Sequence, residues 1–240
     1  WRPSWRVELF PDYKANRLEE DGEGEEEPDT LTPQIPILLD VLDAFGIPIV
    51  GADDYEADDV MATYAVNEPG PIRIVTGDRD LFQLVKPDPD VQVIYLAKGI
   101  SNHDLVNQDW VAKKYDIPGD RYGLFATFRG DASDGLPGVR GIGEKGAALI
   151  ARHYSSAEEA IAGALAGHEH LSAGLRKKII EGQEYLSFAP KLVACATDVP
   201  LPKIDLKIPK RAANMDAIKV LQERYGLGAS VDRLISALNW

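Results

Sequence analysis

Apolar residues recur at Ile35, Leu38, Leu39, Leu42 and Phe45, and this i, i+3, i+4, i+7 spacing predicts an amphipathic helix over 32–45. Thr32 and Pro33 supply an N-cap and first-turn pair, and Gly46 stops the helix. Ile47 to Val50 is expected as a short strand, and Ala57 to Ala65 as a helix opened by acidic residues. Pro71 to Thr76 is an apolar run of strand length, Leu81 to Val85 a short helical stretch, and Val91 to Leu96 a further strand. Such alternation predicts an α/β layer built on a mostly parallel sheet. Beyond about residue 105 the period changes. Helical patterns run over 108–115, 121–128, 144–153, 157–166, 171–182 and 215–225, with no convincing strand among them. Ile117-Pro118-Gly119 marks the expected boundary, giving an α/β domain over 1–118 and a helical region over 119–240. No internal repeat is visible.

Composition narrows the class. Of 240 residues, 45% are hydrophobic and 27% charged, which excludes a disordered chain and leaves enough length for a sizeable core. No run approaches the roughly 18 apolar residues of a membrane span. The lone Cys195 excludes a disulfide framework and indicates a reducing compartment. The chain begins with Trp1 rather than Met, so it is expected to lack its natural start.

A net charge of −13 argues at first against a nucleic-acid partner. The distribution of that charge removes the objection. Glu19 to Asp29 holds eight acidic residues and no basic one, and reads as a solvated loop or tether. Seven more carboxylates fall into three tight clusters, and the rest of the chain is slightly basic. Residues 1–17 interleave aromatics with cations: Trp1, Arg2, Trp5, Arg6, Phe10, Tyr13, Lys14 and Arg17.

The three clusters carry the candidate chemistry. Glu56, Asp58 and Asp59 open a helix, where negative charge meets the positive end of the helix dipole. Asp78 and Asp80, in Thr76-Gly77-Asp78-Arg79-Asp80, directly follow a strand, where functional residues of open α/β sheets gather. Asp131 and Asp134 lie in Arg129-Gly130-Asp131-Ala132-Ser133-Asp134-Gly135. Alone, each has an ordinary explanation: an acidic first turn, a turn signal, a surface loop. Together, seven carboxylates on one surface repel unless cations neutralise them. Hard divalent ions with oxygen ligands suit such a site, and two of them about 4 Å apart form a clamp for in-line phosphodiester cleavage. No Cys/His zinc set exists, since the histidines are His103, His153, His168 and His170, the last two expected at the surface.

Leu136 to Ile150 gives the sharpest local signal. Gly138, Gly141 and Gly143 make a tight loop before a helix, with Val139 and Ile142 as anchors and Lys145 and Arg152 as added charge. The free N–H groups of that helix start can bind a phosphate, so the loop reads as a sequence-independent grip on a nucleic-acid backbone. An ordinary glycine-rich helix–helix turn is the alternative. Arg176-Lys177-Lys178 forms a second basic spot, which a solvated helix face also explains.

The order of these motifs resembles the bacterial 5′ nucleases. Arg6 with Tyr13-Lys14-Ala15-Asn16-Arg17, YEADDV at 55–60, TGDRD at 76–80, GDASDGLPGV at 130–139 and GIGEKGAALI at 141–150 carry the resemblance over nearly the whole chain. That family comprises stand-alone flap endonucleases and the 5′–3′ exonuclease domain of DNA polymerase I. The resemblance implies a PIN-like α/β nuclease domain followed by an all-helical, SAM-like region with a helix–three-turn–helix element. It implies Mg²⁺- or Mn²⁺-dependent cleavage of 5′ flaps and nicked or gapped duplex DNA in replication and repair. By motif, Glu56, Asp58, Asp59, Asp78, Asp80, Asp131 and Asp134 look like the metal-site carboxylates, some acting through water. Asp78 and Asp131 are expected to be catalytic, with Lys14 and Arg17 at the base of a helical arch on the scissile phosphate. Arg6, Lys14, Arg17, Gly138, Gly141, Gly143, Lys145 and Arg152 are expected to contact DNA. A K⁺ ion is expected at the hairpin, near Ser133 or the hairpin carbonyls. The resemblance further implies a monomer in the bacterial cytoplasm, associated with the nucleoid and not with a membrane.

Two departures bear on activity. The family opens with strands carrying two further metal-binding Asp residues, expected ahead of Trp1, and the acidic run 19–29 occupies the arch region. A catalytically impaired protein that binds DNA junctions is therefore the alternative to an active nuclease. A PIN nuclease cutting RNA is disfavoured by the glycine hairpin, because single-stranded RNA recognition relies on stacking. A stand-alone nuclease, with no polymerase domain after Trp240, is the expectation.

Overall fold

The computed structural model describes residues 2–18 and 30–240, and the acidic run 19–29 lies outside the described residues. In chain order the helices are α1 (Ser4–Leu9), α2 (Ile35–Phe45), α3 (Ala57–Asn67), α4 (Gln108–Tyr115), α5 (Tyr122–Arg129), α6 (Glu144–His153), α7 (Ala157–Ala166), α8 (Ala173–Glu181), α9 (Gln183–Leu186), α10 (Ala189–Val193), α11 (Met215–Tyr225) and α12 (Gly228–Leu238). The strands are β1 (Ile72–Thr76), β2 (Lys86–Pro87), β3 (Asp90–Tyr95) and β4 (Asp104–Val106). Two compact units result: Trp1–Arg17 with Ala52–Val199, and Leu18–Gly51 with Pro200–Trp240.

In the first unit, β3 organises a mixed sheet. It pairs in parallel with β1 along its length, Ile72 opposite Val91 through Thr76 opposite Tyr95. It pairs antiparallel with β2 and with β4. β4 begins just short of the region expected to be free of strands; three residues suffice because β3 supplies the ladder. Phe82 sits under the sheet at the hub of the aromatic core, edge-on to Tyr95, Trp110 and Tyr122. Burying one such ring contributes roughly 2–3 kcal/mol. The same core takes in Val93 and Val111 on one side of residue 118 and Phe125, Val139, Ile150 and Leu171 on the other. The packing therefore runs straight across the boundary expected there, and the glycine hairpin belongs to the unit that holds the sheet.

The hairpin is fixed by contacts only glycine permits. Gly138 has φ +67°, and a Cβ there would lie 2.5 Å from the Arg129 carbonyl oxygen. Val139 and Ile142 are buried, and the Val139 N–H donates to the Phe128 carbonyl at 3.1 Å. That bond ties the loop to the end of α5.

In the second unit, α2 packs with α11 and α12 around Ala44, Phe45, Ile218 and Val231. Gly46, at φ 75°, closes α2 with its own N–H on Asp43, while the Ile47 N–H reaches Leu42. This cap explains why the strand expected over 47–50 does not form. Ile47 is consumed in ending the helix, and no partner strand lies beside it among the described residues. The short helices α1, α9 and α10 and the terminal α12 were not expected from periodicity. The first three are too short to show a repeat, and no side chain caps the start of α12. No helix among the described residues is long and apolar enough to cross a membrane.

Replacing Gly138 by Ala should cost about 2–3 kcal/mol, from strain at positive φ and the clash with Arg129, and lower the Tm by roughly 5–10 °C. Gly143→Ala, with open space around its Cβ position, should shift the Tm by no more than about 1–2 °C. Calorimetry of the two variants checks the contrast, and equal losses would remove the hairpin's proposed dependence on Gly138.

Candidate active site

The three carboxylate clusters meet at the carboxyl end of β1. The first sits on α3, whose N-cap is Glu56 and whose N3 residue is Asp59. The two close a reciprocal capping box, with the Glu56 N–H donating to Asp59 at 3.0 Å. The second cluster is the turn leaving β1. There the Asp78 N–H donates to Thr76 Oγ1 at 2.9 Å and the Asp80 N–H to Asp78 Oδ1 at 2.8 Å. The third is a one-turn loop pinned by the Asp131–Leu136 bridge. Gly135, at φ +71°, leaves room there for the Asp12 carbonyl, which a Cβ would approach to 2.7 Å. Lys14, itself at φ 51°, donates its N–H to the Asp134 carbonyl at 2.9 Å. Backbone contact thus brings residues 12–14 against 134–135.

Most of these carboxylates already have cations. Asp59 is fully buried and takes both Nη atoms of Arg6 at 2.7 Å each, together with the Ala196 N–H at 2.7 Å. Burial alone would raise its carboxyl, but Arg6 and these N–H donors hold it below the usual carboxylate range. Glu56 faces Lys14 at 2.6 Å and Arg6 at 3.4 Å. Asp134 faces Arg17 at 2.8 Å and Lys14 at 3.7 Å. Tyr13 lies buried between them, its hydroxyl 3.0 Å from Glu56 and 3.4 Å from Asp134. Asp131 is saturated: Oδ2 takes Arg79 at 2.8 Å and Arg129 at 3.2 Å, and Oδ1 takes the N–H and hydroxyl of Ser133. Its carboxyl is held low against its burial by Ser133 and Arg79.

Asp58, Asp78 and Asp80 are different. No salt bridge forms to any of the three among the described residues. Burial, then repulsion from Asp78, pushes the Asp58 carboxyl up to about 6. Burial, then Asp78, Asp134 and Asp131, pushes Asp80 up to about 7. Among the described residues, Asp80 Oδ1 is buried with no hydrogen-bond partner. An orphaned carboxylate oxygen among like charges is a position that calls for a cation. Among the described residues no three His, Cys, Asp or Glu side chains converge as a finished metal cage. Mg²⁺-type sites with one or two carboxylates, completed by water and phosphate oxygens, need no such cage.

These contacts bear on two assignments made from sequence, Asp59 to a metal and Arg6 to DNA. Asp59 has no oxygen to spare for a metal, because Arg6 and two backbone N–H groups take both. Arg6 is buried on Asp59, so its charge stabilises the protein interior rather than a DNA contact. Tyr13 and Arg79 lie inside the recognised motifs and Arg129 just before one, and the sequence assigns none of them a role. Their signal was position: each stands within two residues of a group already singled out.

The hairpin forms a separate locus of the same unit. Gly143, Glu144, Lys145, Gly146 and Arg152 line a cleft of about 780 Å³ with Tyr115 and Asp116. The N-cap of α6 is Gly143, which has no side chain to occupy the first N–H groups. Arg152 is paired with Asp116. Gly138 is buried, and the Gly141 carbonyl accepts from Lys178 at 2.7 Å. Gly143, Lys145 and Arg152 are thus brought together at one cleft, while Gly138 and Gly141 shape the turn.

Comparison with known proteins decides the family. Residues 2–116 match the 5′-3′ exonuclease N-terminal resolvase-like domain, and residues 117–215 match the 5′-3′ exonuclease C-terminal SAM fold. The chain belongs to the 5′–3′ exonuclease family. It is 46% identical to a 5′-3′ exonuclease of Streptomyces coelicolor, over 99% of this chain and 80% of that protein. It is 40% identical to a 5′-3′ exonuclease of Mycobacterium tuberculosis, over 100% of this chain and 79% of that one. The fold is that of bacteriophage T5 5′-exonuclease bound to zinc, with a TM-score of 0.62 and 22% identity over 93% of this chain and 79% of that one. As a 5′–3′ exonuclease, the protein is a nuclease with a resolvase-like α/β part and a helical SAM-fold part. The two matched regions meet between residues 116 and 117, while the exonuclease core packs continuously through that point.

The unpaired carboxylates set the pH behaviour of the metal-free exonuclease. Because the folded-state value of Asp80 lies above its ordinary one, the stability present below about pH 4 is lost as pH rises through about 7. Asp80→Asn removes that loss. Without metal, its Tm should match the parent's near pH 4 and exceed it by about 3–6 °C at pH 8. Mg²⁺ should raise the parent's Tm at pH 8 and the variant's far less. Thermal scans at both pH values, with EDTA or Mg²⁺, check this; a variant less stable than its parent at pH 8 would contradict it.

Proposed function

We propose that this nuclease hydrolyses phosphodiester bonds at the 5′ ends and flaps of DNA, with Mg²⁺ or Mn²⁺ held by Asp78, Asp80 and Asp58. The observation that carries the reading is the split of the carboxylates. Glu56, Asp59, Asp131 and Asp134 are matched by cations of the chain, and three carboxylates beside them are not. The orphaned oxygen of Asp80 and the hard, all-oxygen donor set fit a small divalent cation. Two ions are accommodated if the second draws on Asp134 through water. When bound, the metal supplies Lewis-acid charge on the phosphate and a water of lowered pKa.

The remaining work belongs to the protein. Lys14 and Arg17 stand on the Glu56–Asp134 side of the cluster, and the Arg17 side chain is partly exposed. They supply positive charge where the phosphate gains negative charge on the way to the transition state. Arg6 and Tyr13 hold Asp59, Glu56 and Asp134 in register and need not touch DNA. The cleft at the start of α6, with its uncapped N–H groups, Lys145 and Arg152, binds duplex backbone without reading sequence. The T5 flap endonuclease of the same fold has been solved with DNA and metal ions, at a TM-score of 0.62 and 20% identity over 82% of this chain and 71% of that one. The Gly141 carbonyl, one expected neighbour of K⁺, is already occupied by the Lys178 ammonium, so the reading requires no K⁺ there.

Cleavage of a 5′-labelled flap duplex tests the reading. The parent protein should cut with Mg²⁺ or Mn²⁺ and not with EDTA. Asp78→Ala and Asp80→Asn should each lower kcat by at least about 100-fold, as expected on losing charge stabilisation in the transition state. Binding without cutting under every condition would leave a junction-binding protein instead.

A further inference from the structure

Asp131 is gripped by two arginines that differ in how firmly they are placed. Arg129 is anchored: its Nε donates to the Gly130 carbonyl at 3.0 Å and its guanidinium lies 5.1 Å over the Phe125 ring. Its side chain is 14% exposed. Arg79 stands on the turn after β1 with its side chain 44% exposed, and among the described residues only its Nη2 meets a carboxylate. It lines an open cleft of about 340 Å³ with Gly77, Asp78, Tyr95 and Ser133.

The electrostatics of this cleft are unusual. Its lining includes Asp78, which has no cation among the described residues and would repel an anion, and the adjacent Arg79 guanidinium, which has donors to spare. A phosphate could rest there only with a cation at Asp78 on one side and Arg79 on the other. Asp131 would tolerate the loss of Arg79, since Arg129 and both donors of Ser133 remain on it.

We propose that Arg79 is the anion-binding group of this cleft, held on Asp131 until a phosphodiester of the nucleic-acid substrate becomes its partner. This rests on the function proposed above and adds a substrate contact to it. A guanidinium suits the role because its planar fork can bind two phosphate oxygens while it leaves a carboxylate.

The test is equilibrium binding of a labelled 5′-flap duplex, followed by fluorescence anisotropy over a range of salt. Ca²⁺ serves as the divalent ion, so that binding is read apart from turnover. Arg79→Gln should weaken binding about tenfold, the loss expected for one charge-assisted contact. It should also reduce the slope of log affinity against log salt by about one. Arg73→Gln serves as control. Arg73 is paired with Asp90 on the same sheet, and its side chain is 38% exposed. The control removes the same charge away from the cleft and should change binding less than twofold. Arg79→Lys should recover part of the loss. Equal effects from Arg79→Gln and Arg73→Gln would overturn the proposal. So would a lowered Tm for Arg79→Gln with unchanged DNA affinity, which would make Arg79 a structural clamp on Asp131. Failure of the parent itself to bind the duplex would instead count against the proposed function.

Discussion

Carboxylates crowded at the end of a strand and the start of a helix cannot all stay ionised in a partly buried setting unless positive charge is brought to them. The protein meets this constraint by importing cations from a distant part of its sequence. Arg6, Lys14 and Arg17 come from the first segment of the chain and settle on Asp59, Glu56 and Asp134. The bidentate, buried pair of Arg6 and Asp59 is the anchor. Removing one member of such a pair typically costs about 3–5 kcal/mol, because the other is left charged and dry. Through that pair, α1 is tied to α3 and to the Ala194–Ala196 segment. The site and the tertiary structure therefore stand on the same contacts.

The imported charge is not enough to go round. Asp58, Asp78 and Asp80 are left without it, and burial pushes the carboxyls of Asp58 and Asp80 toward neutrality. A nuclease that works through divalent ions needs such a deficit. A fully matched array would leave nothing for a divalent ion, and a fully unmatched one would unfold. The matched carboxylates hold the geometry, and the unmatched ones retain the capacity to bind. The arginines on Asp131 show the same division on a smaller scale, one fixed by its neighbours and one free to change partner.

Much of this was legible in the sequence. The spacing of apolar residues located α2, α3, α4, α6, α7 and α11 nearly to the residue, and the order of the acidic and glycine motifs identified the family. What the sequence could not show was pairing. Asp59 looks identical to Asp58 in a one-letter string, yet one faces the interior and Arg6 while the other faces the site. That difference comes from a single step of about 100° around a helix. Arg6 is a DNA contact only by resemblance of its motif, and the packing of α1 turns it inward onto Asp59. The strand expected over 47–50 failed for a related reason: strand propensity is local, but a strand needs a partner. The core's passage across residue 118 was likewise hidden, since turn residues mark a change of period and not an end of packing.

The central claim is that positive charge is short at Asp58, Asp78 and Asp80 and balanced elsewhere in the cluster. Its most direct test is an anomalous-difference map from crystals soaked in Mn²⁺. The strongest peak should lie within coordination distance of Asp78 or Asp80, with the Arg6–Asp59 pair undisturbed. A peak seated on Asp59 with Arg6 displaced, or no peak near Asp78 and Asp80 at saturating Mn²⁺, would contradict it.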